Sequence, residues 1–175
     1  MGSQSNCWRA ALVVAVALAG LWLLPLDAHA QEGRGGPVGV RFDVHLTGGP
    51  WYNWFGAGFR VDIPIVEDGL IDGTDDDLSL TVGGDALWLY HRVAQGFGVI
   101  PVLALQWNFY LNETWSIFPE LGVAFLFIDD YYHHRYWDAW VGPYVGFGAR
   151  LHFNPRNALL FRISWPTGAQ IGITF

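Results

Sequence analysis

Val38-Gly39-Val40-Arg41-Phe42-Asp43-Val44-His45-Leu46-Thr47 alternates residue by residue: Val38, Val40, Phe42, Val44 and Leu46 on one side, Gly39, Arg41, Asp43, His45 and Thr47 on the other. Period two is the pattern of an extended strand with one apolar and one polar face. Gly48-Gly49-Pro50 then reads as a turn, and Phe55, Ala57, Phe59, Val61, Ile63 and Ile65 alternate in the same way with Gly56, Gly58, Arg60, Asp62 and Pro64. Strand-like patterning continues over residues 78–90, 97–109, 115–127, 139–153, 159–165 and 169–175. With the first two, that makes eight strands, separated by polar or turn-rich segments.

The charges decide which face meets which medium. Arg41, Arg60, Arg150 and Arg162 fall on the same face of their strands as Asp43, Asp62, Asp85 and Glu120. An arginine facing lipid at mid-depth costs about 2–4 kcal/mol, so eight charges there would exceed an ordinary fold's stability of about 5–15 kcal/mol. The charged face therefore points inward as a lumenal charge network, and the apolar face points outward. No stretch after residue 30 reaches the ~20 apolar residues of a spanning helix, so crossing a membrane requires a closed barrel, which alone satisfies strand backbones in lipid. The expected fold is all-β: an eight-stranded antiparallel up-and-down transmembrane barrel. With the N-terminus on the periplasmic side, the turns near Asn112 and Asn154 are periplasmic. Trp51, Tyr52, Trp54, Trp88, Tyr90, Trp137, Trp140 and Trp165 then form an aromatic girdle at the outer rim.

The chain begins with a different kind of segment. Arg9 precedes an apolar run over residues 10–24, and Ala28-His29-Ala30 supplies small residues at a cleavage position, so residues 1–30 read as a signal peptide cleaved near Ala30. Residues 31–175 are the barrel domain, exported to a bacterial outer membrane. The sole cysteine, Cys7, lies in the leader, which excludes disulfides, thiolate metal sites and a cysteine nucleophile from the rest. Aromatics make up 17% of the chain and charged residues 14%, a poor composition for a surface wholly in water, where charge is about a quarter of residues. The net charge of −7 and the absence of lysine exclude a nucleic-acid partner.

The final residues, Ala169-Gln170-Ile171-Gly172-Ile173-Thr174-Phe175, resemble the C-terminal recognition strand of outer-membrane barrels, with a terminal aromatic and apolar residues at alternate positions before it. Gln170 stands where that pattern has glycine. The resemblance implies the barrel-assembly machinery as a partner during biogenesis and outer-membrane lipid as the surroundings. In general organisation residues 31–175 resemble the small eight-stranded barrels that include opacity-type and palmitoyltransferase-type members.

Several features bear on function. An eight-stranded barrel fills its interior with side chains, so a porin is not expected. Leu87, Leu89, Ile100, Val102, Leu126, Ile128, Trp140 and Tyr144 fall on the inward face near the outer mouth. They read either as ordinary filling or as a binding site for an acyl chain or other apolar ligand. Ser164 and His152 share a face of adjacent strands, but the register expected from the turn at residues 154–157 separates them by about four residues, on the order of 13 Å, too far for a nucleophile and its base. The reading leans away from an enzyme. Asp129-Asp130-Tyr131-Tyr132-His133-His134-Arg135-Tyr136-Trp137-Asp138 is the most distinctive exposed segment and the candidate contact element; His133 and His134 point to opposite sides of an extended chain and do not chelate one ion. The acidic run with Glu67, Asp68, Asp72, Asp75, Asp76 and Asp77 lacks the spacing of a calcium loop and reads as a solvated turn. No cofactor or metal is expected. The leading function is a small non-porin outer-membrane barrel with a structural or surface-contact role. Acyl-chain binding is the alternative, and a soluble periplasmic barrel of the lipocalin kind is a third reading.

Overall fold

A computed structural model describes residues 39–49, 53–67, 69–90, 95–130 and 138–175. Trp51, Tyr52, His91, residues 131–137 and residues 1–38, which include the expected signal peptide, lie outside the described residues, as do the side chains of Tyr90, Asp129 and Asp138. Eight strands follow in chain order: β1 (Arg41–Gly49), β2 (Trp54–Val66), β3 (Asp76–Tyr90), β4 (Gln95–Tyr110), β5 (Trp115–Asp130), β6 (Asp138–His152), β7 (Ala158–Trp165) and β8 (Gly168–Thr174). Each pairs antiparallel with its sequence neighbours, and β1 pairs with β8, so the sheet closes into a barrel. At the seam the backbones of Phe42 and Phe175 exchange two hydrogen bonds of 2.8 Å.

The two faces are sorted in the opposite sense to a water-soluble domain. Every exposed residue within the described strands is apolar, among them Leu46, Phe55, Leu121, Val141, Phe147 and Ile163 at 55–74% exposure. The buried side chains include more polar and charged residues than apolar ones, Arg60, Asp85, Gln106, Asn108 and Ser116 all at 0% exposure. A continuous apolar outer wall around a polar interior has no stable place in water, since each large side chain left in water forgoes about 1.5–3 kcal/mol. It is the outer surface of a transmembrane barrel. A soluble lipocalin-like barrel needs the reverse arrangement and is ruled out on this point.

The wall is uneven in height. Strands β3 to β6 have 15–16 residues, whereas β7 and β8 have 8 and 7. At the end that carries Phe175 the β6–β7 and β7–β8 ladders run to His152↔Ala158 and Ala158↔Thr174, so the shortfall of β7 and β8 falls at the opposite, loop end. There β6 pairs with β5 up to Ile128↔Asp138, but its first pair with β7 is Val145↔Trp165. Residues 138–144 of β6 therefore have no neighbouring strand on the β7 side among the described residues.

An open strand edge in lipid strands its backbone groups, and the sequence limits that cost. The His152 N–H bonds to Thr114 on the β5 side and the Phe153 N–H to Asn157 on the β7 side, so odd-numbered residues of β6 direct their backbone groups toward β7. The next odd residue beyond Val145 is Pro143, which has no N–H to leave unpaired. The hairpin that joins the short pair enters β8 at Gly168, whose φ of +85° suits glycine and where an added Cβ would come 2.5 Å from the Gly48 carbonyl oxygen.

Candidate functional site

The lumen divides into a charged part toward the termini and an apolar part toward the loops. In the charged part, seven side chains from six strands close a ring. Arg162 donates to Asp43 at 2.9 Å, and Asp43 and Asp85 flank His45 at 2.7 Å from Nδ1 and 2.9 Å from Nε2. Asp85 accepts from Arg60 at 2.7 Å, Arg60 donates to the Tyr144 hydroxyl at 2.9 Å, and that hydroxyl donates to Glu120 at 2.8 Å. Glu120 returns to the Arg162 Nε at 3.0 Å. Gln170 ties β8 in, accepting from Arg162 at 3.0 Å and donating to Asp85 at 3.1 Å.

A second layer lies nearer the termini. Arg150 donates to Asp62 at 2.8 Å and to Asn108 at 2.7 Å, and Thr81 and Gln106 complete the Asp62 carboxylate at 2.7 and 3.0 Å. Arg41 forks onto both oxygens of Asp77 at 2.8 and 2.9 Å, with the Tyr110 hydroxyl donating to the same carboxylate at 2.6 Å. Between the layers the Phe118 ring carries the Arg150 guanidinium 4.1 Å from its centroid and that of Arg162 at 5.4 Å. Buried charges persist only when paired; each charge here has at least two polar partners, while the Nε atoms of Arg41, Arg60 and Arg162 and the Oε1 of Glu120 make no hydrogen bond, so Arg162 and Glu120 are joined as an ion pair. Chemically the arrangement is a plug, because any ion or solute path along the axis must break the ring.

All eight charges assigned to the inner face from sequence lie here at 4% exposure or less. Sequence reasoning left out His45, Asp77, Tyr110 and Gln170. Asp77, expected in the acidic turn, is the second residue of β3 and points into the lumen. His45 follows Asp43 by two residues on the same strand, a spacing that already put it beside that carboxylate.

Toward the loops the lining turns apolar. Leu87, Ile100, Val102, Ala104, Ala124 and Tyr144 pack as one buried cluster with Trp54, and the half-buried Leu89 and Leu126 lie against it. Trp54 is thus an interior residue at 8% exposure and not part of an outer girdle; it shares parity with Arg60. Ile128 is half-buried at the upper end of β5. Trp140 is 39% exposed: it stands on β6 above the end of β7, its ring lies in the space over Gly142 that any Cβ would fill, and it meets Trp165 edge-on at 5.2 Å. Of the eight residues proposed from sequence to hold an apolar ligand, six belong to this cluster or pack on it, Ile128 lies outside it, and Trp140 stands on the stretch of β6 that has no β7 neighbour among the described residues. Aromatic residues also mark the termini end on the outside, where Trp107, Phe109, Trp115 and Phe153 sit, a second belt that the sequence reading did not separate out.

His152 and Ser164 are farther apart than the turn suggested: Ala158 faces His152 and Gly146 faces Ser164, six residues along the ladder, roughly 20 Å at strand rise. His152 instead meets Ser116 on β5, Nε2 to Oγ at 2.9 Å. Ser116 is 0% exposed, so this pair joins two strands and presents no nucleophile to a substrate. Among the described residues no group of three His, Cys, Asp or Glu side chains is arranged to hold a metal.

No family model matches the sequence, and no curated protein matches it. Among solved structures, the chain is similar to Ail, the attachment invasion locus protein of Yersinia pestis, at 10% identity and a TM-score of 0.48, over 77% of this chain and 90% of that one. A second structure of Ail, in complex with the heparin analogue sucrose octasulfate, matches at 11% identity with the same TM-score and coverage. The barrel assignment rests on this chain's own strand register and on the sorting of its two faces.

Proposed function

We propose that the protein is a non-conducting outer-membrane barrel with a structural or surface-contact role, its termini at the periplasmic side. The observation that carries this reading is the closed ring from Arg162 through Asp43, His45, Asp85, Arg60, Tyr144 and Glu120, which crosses the lumen and leaves the barrel as a scaffold. The contact role is supported by the height of β3 to β6 and by the aromatic composition of residues 131–137, which join β5 to β6 in the sequence. Two experiments bear on this. Purified barrel in planar bilayers is expected to show no steps of conductance, and stable ohmic steps would overturn the plug. Replacement of residues 131–137 by a glycine-serine linker is expected to leave the folded, heat-modifiable gel band intact while reducing adhesion of expressing cells to one another and to protein- or glycan-coated surfaces; unchanged adhesion would remove the contact role.

A second reading is favoured by the gap beside β6. The lining of the interior turns apolar above the ring, and among the described residues no strand pairs with β6 on the β7 side above Val145↔Trp165, where Trp140 and Trp165 meet. An acyl chain of the surrounding leaflet fits that chemistry. Mass spectrometry of lipids retained after purification in short-chain detergent is expected to find acyl species on the wild type and to lose them in Leu126→Trp. The absence of any retained lipid, with Leu126→Trp harmless to folding, would sink this reading.

A further inference from the structure

The segment joining β2 to β3 is placed on the outside of the barrel, and we infer that it is a foot resting in the lipid interface at the termini end, with Leu70 and Ile71 inserted at the boundary of headgroups and acyl chains. The inference needs the lipid-facing outer wall but neither functional reading above.

The placement follows from the strand register. Asp76 pairs with Phe109, and Leu78 pairs with Trp107. Phe109 and Trp107 belong to the odd-numbered set of β4 that faces outward, since Gln106, Asn108 and Tyr110 face the lumen and its ring of charge. Residues directly opposite on paired strands share a face, so the Asp76 carboxylate is on the lipid side of the wall. It is nevertheless only 3% exposed. Its Oδ2 takes the Trp107 indole N–H at 2.7 Å and the Leu70 backbone N–H at 2.9 Å, and Gly69 lies so close that an added Cβ would come within 2.5 Å of Oδ1.

The turn therefore leans outward and folds over a carboxylate that would otherwise face lipid unpaired. Its base is fixed by the Tyr110 N–H to the Asp75 carbonyl at 2.9 Å and its tip by the Thr74 N–H to the Ile71 carbonyl at 3.1 Å. What this clasp turns outward is apolar: Leu70 and Ile71 are 54% and 46% exposed. They continue the belt of Trp107 and Phe109 at the level where the wall ends, while Glu67 and Asp72 stay exposed at the margin. Aromatic residues with a bonded polar edge next to aliphatic ones suit the interfacial zone, where one side of the surface is apolar and the other wet. A plain solvated turn explains the carboxylates of this segment but not why its two large aliphatic residues are held out beside the apolar wall.

Residues 31–175 contain no cysteine, so single-cysteine nitroxide labelling reads the foot directly. The mature chain is refolded into phosphatidylethanolamine–phosphatidylglycerol vesicles with a label at Ile71→Cys, and its collision rates with oxygen and with a water-soluble nickel chelate are compared with those at Asp72→Cys and at Leu121→Cys on the outer wall. The ratio of oxygen to nickel collisions at 71 is expected to be severalfold above that at 72 and to approach that at 121; Leu70→Cys gives the same result should Ile71→Cys fold poorly. Equal ratios at 71 and 72, with 121 reporting lipid, would overturn the foot, whereas a water-like value at 121 would contradict the lipid-facing wall itself. Adding Asp76→Ala is expected to drop the ratio at 71 to the level at 72 while the barrel still runs as folded on unheated gels. A ratio unmoved by that substitution would overturn the clasp.

Discussion

Asp85→Leu tests the lumenal ring at its most heavily bonded carboxylate. Asp85 is 0% exposed and accepts from Arg60 at 2.7 Å, from His45 at 2.9 Å and from Gln170 at 3.1 Å. Leucine removes all three acceptors and leaves the Arg60 guanidinium buried with the Tyr144 hydroxyl as its bonded neighbour in the ring. Removing one partner of a buried pair costs about 3–5 kcal/mol, because the remaining charge stays desolvated without compensation. Replacing both partners by apolar residues of similar volume is far cheaper, often near neutral. Arg60→Met/Asp85→Leu is therefore expected to recover most of the loss, with a coupling between the sites of at least about 2 kcal/mol. Urea unfolding from vesicles, followed by tryptophan fluorescence, reads the difference. With a slope of about 1–3 kcal/mol per molar, the single substitution lowers the midpoint by at least ~1 M. A single-variant shift below ~0.3 M, or losses that simply add in the double variant, would refute the ring as a mutually supporting structure.

Gly168→Ala is expected to destabilise the barrel by about 1–3 kcal/mol in the same titration, because φ of +85° is unfavourable for alanine and its Cβ would come 2.5 Å from the Gly48 carbonyl oxygen. A wild-type midpoint would contradict the close approach of β8 to β1. Ser116→Ala is expected to cost about 1 kcal/mol through loss of the bond to His152. Fluorophosphonate probes should leave Ser116 unlabelled in the folded barrel, since it is 0% exposed; covalent labelling there would mean that the Ser116–His152 pair is an active site.

The strand layout was largely readable because alternation in an outer-wall strand is enforced twice, by lipid on one side and by charge on the other. Residues 55–65 and 115–127 read as strands and lie within Trp54–Val66 and Trp115–Asp130. Parity also showed which face each charge takes. It could not show partners, because Arg150 reaches Asp62 across 88 residues of sequence and only the closed register brings them together. Asp77 was hidden by its neighbours Asp75 and Asp76, three carboxylates in a row that go to the turn, the outer wall and the lumen in succession. Trp54 was misread for the opposite reason: the run Trp51-Tyr52-Asn53-Trp54 suggests a rim, while the parity of Trp54 with Gly56, Gly58 and Arg60 points inward. The shortness of the last two strands was visible in the sequence. Its consequence, an edge of β6 beside Pro143 with no strand next to it among the described residues, appears only once the pair Val145↔Trp165 is known. Ser116 carried no signal of its own, since its bond to His152 depends on β5 and β6 lying in that register.

The outer wall of exposed apolar residues is the claim on which the rest depends, and separation of the cell envelope tests it most directly. The protein is expected to sediment with outer membranes, to stay there through osmotic shock, and to be released only by detergent. Release into the periplasmic fraction by osmotic shock alone would contradict that claim.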